Sequence, residues 1–494
     1  MNIELISLTQ TSSRHPIIRL FQIVSLLVLA GVIIRANSAL AEGASAGFFF
    51  DQFNLTLEDG LRTEAAGPFY YTQTNSTGTL LAYPPFFSRE VSPATEFQED
   101  DYLYPIFTRL HYGAETRWQC CELINSASGL APDNTTPRRV TIFPFYFQQR
   151  AADTNLNYTA VVPFYGRLKH RLFHDDIYFV MLPAFVETRK KDVVTDNYFF
   201  PFVDVHQGDG MQGWQVWPFV GREHKDVTTQ TNGFGDVTTI PGHDHSFYLW
   251  PFYLAQDNGL GTTNTGTFRA TIPFYALTRS PQYDATTVLW PFFTTLDNRE
   301  RKYREWQEPW PFVIFARGEG KHTSRVWPLF SESHNETKEV DSYAWPFYTY
   351  SHVHADPLDQ QRTRVLYYLY SRLAVKNTET GKERLRVDMW PFFVWHHDFN
   401  GNERLQVLAP LEPAVPDNRG IERNWSPLWS LWRTEYNAAT RARNESLLWN
   451  FYHRQTTPTS RKVSLCFGLY QASDQAGEKT VRWFYFPPSR SSQH

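Results

Sequence analysis

The chain has 494 residues, with 47 basic and 51 acidic side chains, a formal net charge of −4, 16 % aromatic residues and three cysteines. A balance this mild excludes nucleic acid as a partner and argues against polybasic attachment to a membrane surface. Three thiols are no disulfide framework, and Cys120 and Cys121, being adjacent, would bond each other only under strain, so buried free thiols on strands are expected.

The first residues read as an address. Arg14 and Arg19 precede Phe21–Ile34, an apolar run of 14 residues, too short for a comfortable membrane span. Ala39 and Ala41 then occupy the small-residue positions of a cleavage site. Residues 1–41 are expected to be a secretory signal peptide cut after Ala41, with an uncleaved anchor helix as the alternative. The remaining 42–494 keeps 44 basic and 50 acidic residues and no apolar run long enough for a spanning helix. Entry into a membrane would therefore be by strands. Aromatic residues fit pleated strands and are weak helix formers.

After an opening "GFFFDQFNLTL", one pattern fills the chain. Its clearest copies are Trp217-Pro218, Trp250-Pro251, Trp290-Pro291, Trp310-Pro311, Trp327-Pro328, Trp345-Pro346 and Trp390-Pro391, most followed by Phe. Earlier copies keep the proline without the tryptophan, at Pro85, Pro105, Pro144, Pro163, Pro183 and Pro201. Later ones are degenerate, at Trp449, Phe467 and Phe484. "TRWQCCELIN" fills a double-length gap as a missing copy. Pro410 and Pro427 count as two further centres. Polar segments such as "LDNRE", "SHNETKE" and "DFNGNE" separate the centres and supply Gly, Asn or Asp for reversals. A longer polar loop is expected at 223–247.

With one reversal per unit, each of about 23 units reads as one long strand of about 12–15 residues, centred on the proline. Successive strands joined by short turns are antiparallel. The expected fold is all-β: an up-and-down meander of about 23 long strands in a single repeat-built domain, 42–494, closed as a large barrel to remove both sheet edges. A β-solenoid or a propeller is the alternative. Proline costs a ladder bond, so a bulge or bend is expected at each centre. Both faces are apolar at the centres, which predicts one aromatic ring around the wall rather than the two girdles of a porin.

"ERNWSPLWSLWRTEY", "NESLLWNFYHRQ" and "KTVRWFYFPP" resemble a group of exported WPF-repeat proteins of Gram-negative bacteria. That group brings no established activity, so no functional residue is carried over. Val481, Trp483 and Tyr485, alternating with Phe484 and Phe486, also look like the closing strand of an outer-membrane β-barrel, although "PPSRSSQH" follows.

Chemistry-bearing motifs are sparse. No GxSxG, P-loop, dinucleotide fingerprint or HExxH occurs, no cofactor is implied, and an enzyme is not expected. "GHDHS" puts His243 and His245, and "SHVHA" puts His352 and His354, on one side of an extended strand. Such pairs are able to ligate Zn²⁺ or Cu²⁺, against the blander alternative of polar strand ends. "WHHDF" reads as a strand end entering a turn. Glu305, Glu308 and Asp388 are the carboxylates that a glycan-active hydrolase would need, unless they pair with nearby arginines. The expected function is an outer-membrane or envelope barrel with a structural, transport or pore role, in contact with lipid or envelope components. An exported β-repeat module binding glycan or an envelope protein is the alternative, placed in the periplasm or at the cell surface.

Overall fold

In the computed structural model, which describes residues 47–129, 137–231, 236–475 and 477–484, the chain is an antiparallel meander. Forty-two strands form one sheet, and Thr228–Thr231 with Val237–Ile240 make a separate two-stranded hairpin. The expected signal peptide, Tyr485 and Phe486 lie outside the described residues.

The strands are 4–8 residues long, so the expected count of about 23 long strands is corrected. The error lies in where the Trp-Pro centre falls. It is the reversal itself. At Leu289–Phe292 the amide of Phe292 donates to the carbonyl of Leu289 at 3.0 Å, and Trp290–Pro291 is cis. This is a type VI turn, with cis-proline in its third position. All seven Trp-Pro bonds are cis, and the four-residue bond recurs at Val216–Phe219, Leu249–Phe252, Ala344–Phe347 and Met389–Phe392. Proline has no N–H to give to a ladder, and at the tip of a hairpin none is required. Each repeat is therefore two short strands and two turns, one aromatic and one polar, and no bulge at the proline is involved.

Copies without proline reverse differently. Cys121–Glu122, Trp449–Asn450 and Cys466–Phe467 place consecutive residues at positive φ, as a type I′ turn requires. The missing copy in "TRWQCCELIN" is thus a turn on the same rim. The polar turns follow the expected chemistry. Asn335 Oδ1 accepts from the amides of Thr337 at 3.1 Å and Lys338 at 2.7 Å. Asp398 does the same for Asn400 and Asn402, so "WHHDF" ends a strand as expected.

All aromatic turns share one rim of the sheet, and neighbouring turns bond to one another. The carbonyl of Phe274 accepts from Leu289 N at 2.8 Å, that of Phe347 from Leu366 N at 2.9 Å, and that of Phe219 from Leu249 N at 2.6 Å. Tilted rings pack along the rim: Phe312, Trp327 and Trp345 follow one another at 5.7 Å. Just below, Tyr70, Tyr83, Phe87, Tyr102, Phe107 and Trp118 form a second row, with centroids 5.1–6.4 Å apart. The expected aromatic band takes the form of such rows, displaced from mid-height to an edge.

Small residues such as Ala285, Thr287, Ala316, Thr323 and Ser331 line the more buried face. Hydroxyls cross-bond there, Thr287 to Thr294 at 3.0 Å and Thr323 to Ser333 at 2.9 Å. Arginines brace neighbouring strands in a repeated way. Arg279 Nη1 donates to its preceding carbonyl and to that of Ala285, and Arg317 Nη1 does so to Ala316 and Thr323.

One insertion breaks the pattern. Between Glu403–Val407 and Trp432–Tyr436 lie helices α1 (Arg419–Asn424) and α2 (Ser426–Trp429) in place of the strands expected to be centred on Pro410 and Pro427. Asn418 caps α1, accepting from Ile421 N at 2.9 Å.

Strand pairing does not confirm the expected barrel closure. Asp51–Asn54 pairs only with Gly60–Ala65, and Glu478–Trp483 only with Tyr470–Gln475, so no ladder among the described residues closes the sheet. Consecutive antiparallel pairing also removes the solenoid, and one continuous sheet removes the propeller. The first strands instead meet the helical insert and the strands after it through side chains. Phe53 packs on His453 at 4.8 Å, Asn450 donates to Glu64 at 2.7 Å, and Asn437 to the Thr56 carbonyl at 3.0 Å. The α1 residue Arg423 reaches Glu90, Glu99 at 2.5 Å and Asp101 at 2.8 Å. Asp101 is fully buried. Removing one member of a buried ion cluster strands the others, so Arg423→Ala should destabilise by about 3–5 kcal/mol. Denaturant unfolding of this variant, beside the compensated Arg423→Ala/Asp101→Asn pair, checks it: the pair should recover part of the loss.

Candidate functional site

The strand register carries both histidine pairs to a glutamate that sequence reading misses. Glu223, on Val220–Lys225, lies directly across from His245 on Gly242–Tyr248. His243 Nε2 contacts Glu223 Oε1, and His245 Nδ1 lies 3.5 Å from the same oxygen. The two imidazoles stack at 4.3 Å. The expected polar loop at 223–247 is in fact these two main-sheet strands with the hairpin 228–240 between them. That hairpin separates Glu223 from its partners in sequence while leaving them paired in space.

A third histidine joins from two strands away. His206 lies across from Gly213, which lies across from Glu223, so all four side chains share one face. His206 Nε2 comes within 3.1 Å of Glu223 Oε2. The reach depends on Gly213, because a Cβ there would sit 2.0 Å from His206 Nε2. His206 Nδ1 meets Asp204 at 3.1 Å, and Asp204 in turn accepts from Gln215. The hydrogen bond to Asp204 and then the nearby Glu223 carboxylate raise the His206 pKa to about 9. His206 and then His245 hold the Glu223 carboxyl well below its usual range, and Glu223 in turn raises His245.

The second pair is arranged similarly. Glu339 lies across from His352, and His354 follows on the same face. His352 Nε2 meets Asp359 at 2.8 Å and its Nδ1 lies 3.7 Å from Glu339. His354 lies 3.6 Å from Glu339 and 3.5 Å from Asp359. Each set has the residue types of a metal site, two imidazoles and a carboxylate with ligand atoms within 4.8 Å of one another.

The carboxylates considered for hydrolysis are not brought together. Glu305 is buried and taken by Lys321 at 2.6 Å. Glu308 sits in the turn before Pro309, and Asp388 is paired with Arg386 at 2.9 Å. The cysteines are free thiols; Cys121 and Cys466 are exposed at rim turns rather than buried on strands.

Where the first strands meet the helical insert lies a cavity of about 600 Å³, lined by Arg62, Tyr71, Glu90, Arg404, Arg419 and Arg423 among others. Its arginines are largely committed: Arg62 to Glu64 at 2.7 Å, Arg404 to Glu422 at 3.1 Å, and Arg423 as above. Beside this seam, His396 stands between Arg386 and Arg404 on the flanking strands. Burial, and then these two guanidinium groups, lower its pKa to about 4.

No family model matches the chain, and no curated protein matches it in sequence.

His396 carries the pH dependence with the clearest sign. It is held neutral in the folded state, so unfolding takes up a proton below pH 6.5, its ordinary pKa. Its stabilising contribution is complete above that value and is lost as pH falls toward about 4. Denaturation midpoints across this window should fall with a slope approaching about 1.4 kcal/mol per pH unit from this group. In His396→Gln that part of the slope should vanish.

Proposed function

We propose that the protein is an envelope scaffold with a structural, transport or pore role, held to outer-membrane lipid by its aromatic rim. The observation that carries this is the asymmetry of the two rims. One consists of Trp, Pro and Phe turns whose tips face outward, Phe274 at 66 % and Leu329 at 67 % exposure. The other consists of charged and amide-bearing turns. Trp and Tyr favour the membrane–water interface, where one end of the ring is apolar and the other wet. An exposed apolar band of this extent marks an interaction surface.

The strands argue for seating rather than crossing. At 4–8 residues they are shorter than the about 9–11 needed by a tilted transmembrane strand. A spanning wall also needs polar groups at both ends, and here only one end has them. In this reading the side-chain seam, with its helical insert, closes the wall around a lumen. Export, on which the reading depends, is supported by the expected signal peptide.

Three rim substitutions, Phe252→Ser, Phe274→Ser and Phe292→Ser, together should leave the sheet intact, because these side chains are exposed. They should weaken co-flotation with phosphatidylethanolamine–phosphatidylglycerol vesicles at least about tenfold, given the apolar area withdrawn. Recovery of the native protein as a soluble periplasmic monomer that ignores vesicles would overturn the proposal. Specific retention on a glycan array in that outcome would favour the binding-module alternative.

A further inference from the structure

We propose that His206, Glu223, His243 and His245 form a binding site for a divalent transition-metal cation of the Zn²⁺ type. The ligand atoms would be His206 Nε2, His243 Nε2, His245 Nδ1 and a Glu223 carboxylate oxygen. Three imidazole nitrogens and one carboxylate suit four-coordinate zinc.

The orientation of the rings carries the inference further than the residue types do. His206 donates from Nδ1 to Asp204 at 3.1 Å, which fixes the ring and turns Nε2 toward Glu223. His206 Nε2 is buried and has no hydrogen-bond partner of acceptable geometry, although Glu223 Oε2 lies 3.1 Å away. His245 is fixed in the opposite sense. Its Nε2 meets Asn258 Oδ1 at 2.8 Å, leaving Nδ1 for Glu223. Two imidazoles are thus each held from behind by an acceptor and aimed at one carboxylate. Histidines that ligate metals are held in this way, since the outer acceptor sets both tautomer and ring direction. Three imidazoles thus converge on the Glu223 carboxylate, and a metal would engage their inward-facing nitrogens together. The nearest competing cation, Lys225, is drawn to Asp209 at 3.3 Å.

The second cluster lacks this arrangement. It has two histidines rather than three, and His352 and His354 each lie between the same two carboxylates, Asp359 and Glu339. Charge pairing satisfies that set, so it serves as an internal control.

The test uses the full chain, stripped with chelator and titrated with Zn²⁺ against a chromophoric competitor. One equivalent should bind, and Co²⁺ in its place should give the intense visible bands of a four-coordinate centre. His206→Ala and the His243→Ala/His245→Ala pair should each weaken binding at least about 100-fold. Asp204→Asn touches no ligand atom and should weaken it about 10–100-fold. Gly213→Ala, which only displaces His206, should also weaken it, whereas His352→Ala/His354→Ala should not. Circular dichroism verifies that each variant keeps its sheet, and the unmutated chain's cobalt spectrum decides the matter without any variant. Absence of stoichiometric Zn²⁺ binding, a six-coordinate cobalt spectrum, or affinity unchanged in the His206 and His243/His245 variants would overturn the proposal.

Discussion

The hydrogen bond passed from one aromatic turn to the next is the interaction on which the sheet depends. A hairpin tip normally ends a ladder. Here the carbonyl after the proline, as at Phe274, accepts from the residue that opens the next tip, Leu289. Proline occupies the one place in the turn that has no donor to supply. The two facts fit together: the tip is closed within itself and still open sideways. Ring packing then works along the same line, because consecutive tips are held side by side. Trp327 and Trp345 meet at 5.7 Å through this spacing, although they lie a whole repeat apart in sequence.

A single-layered sheet has little interior, and the molecule uses it sparingly. Its apolar clusters are small, such as that of Tyr158, Ala160, Leu168, Ile177, Phe179 and Val186. Much of what is deeply buried is polar. Asp100, Asp101, Asn424, Ser88 and His453 lie along the seam where the first hairpins meet the helical insert and the strands after it. Buried polar groups cost least when bonded, and Asp101 is shared by Ser88, Arg423 and Asn424. Directional bonding of this kind favours one mutual placement of the ends, where a greasy contact would accept many.

The class of the fold was legible in the sequence, and so was the repeat. Antiparallel meandering followed from short reversals, and the Asn335 and Asp398 turns from their side chains. The role of Trp-Pro-Phe was not. An apolar run between polar segments has the composition of a strand whether it lies mid-strand or folds back on itself, and apolar residues at a tip give no warning. The one internal clue was the proline itself, which a ladder does not accommodate. The histidine pairs were visible because i, i+2 spacing is local. Glu223, Glu339 and His206 were not, because their approach depends on register across strands and, for His206, on a glycine whose value appears only in three dimensions. The helical insert was hidden because Pro410 and Pro427 kept the spacing of the repeat.

The seam also sets a constraint on length. Most hairpins touch only their neighbours, and a chain of such units grows or shrinks freely at its ends. Here the first hairpins must land on Arg423, Asn437 and Asn450. Losing a hairpin between the first strands and the helical insert would carry those contacts out of reach. The join therefore acts as a gauge that counts the units between its two sides, and their number can change only if the join is rebuilt.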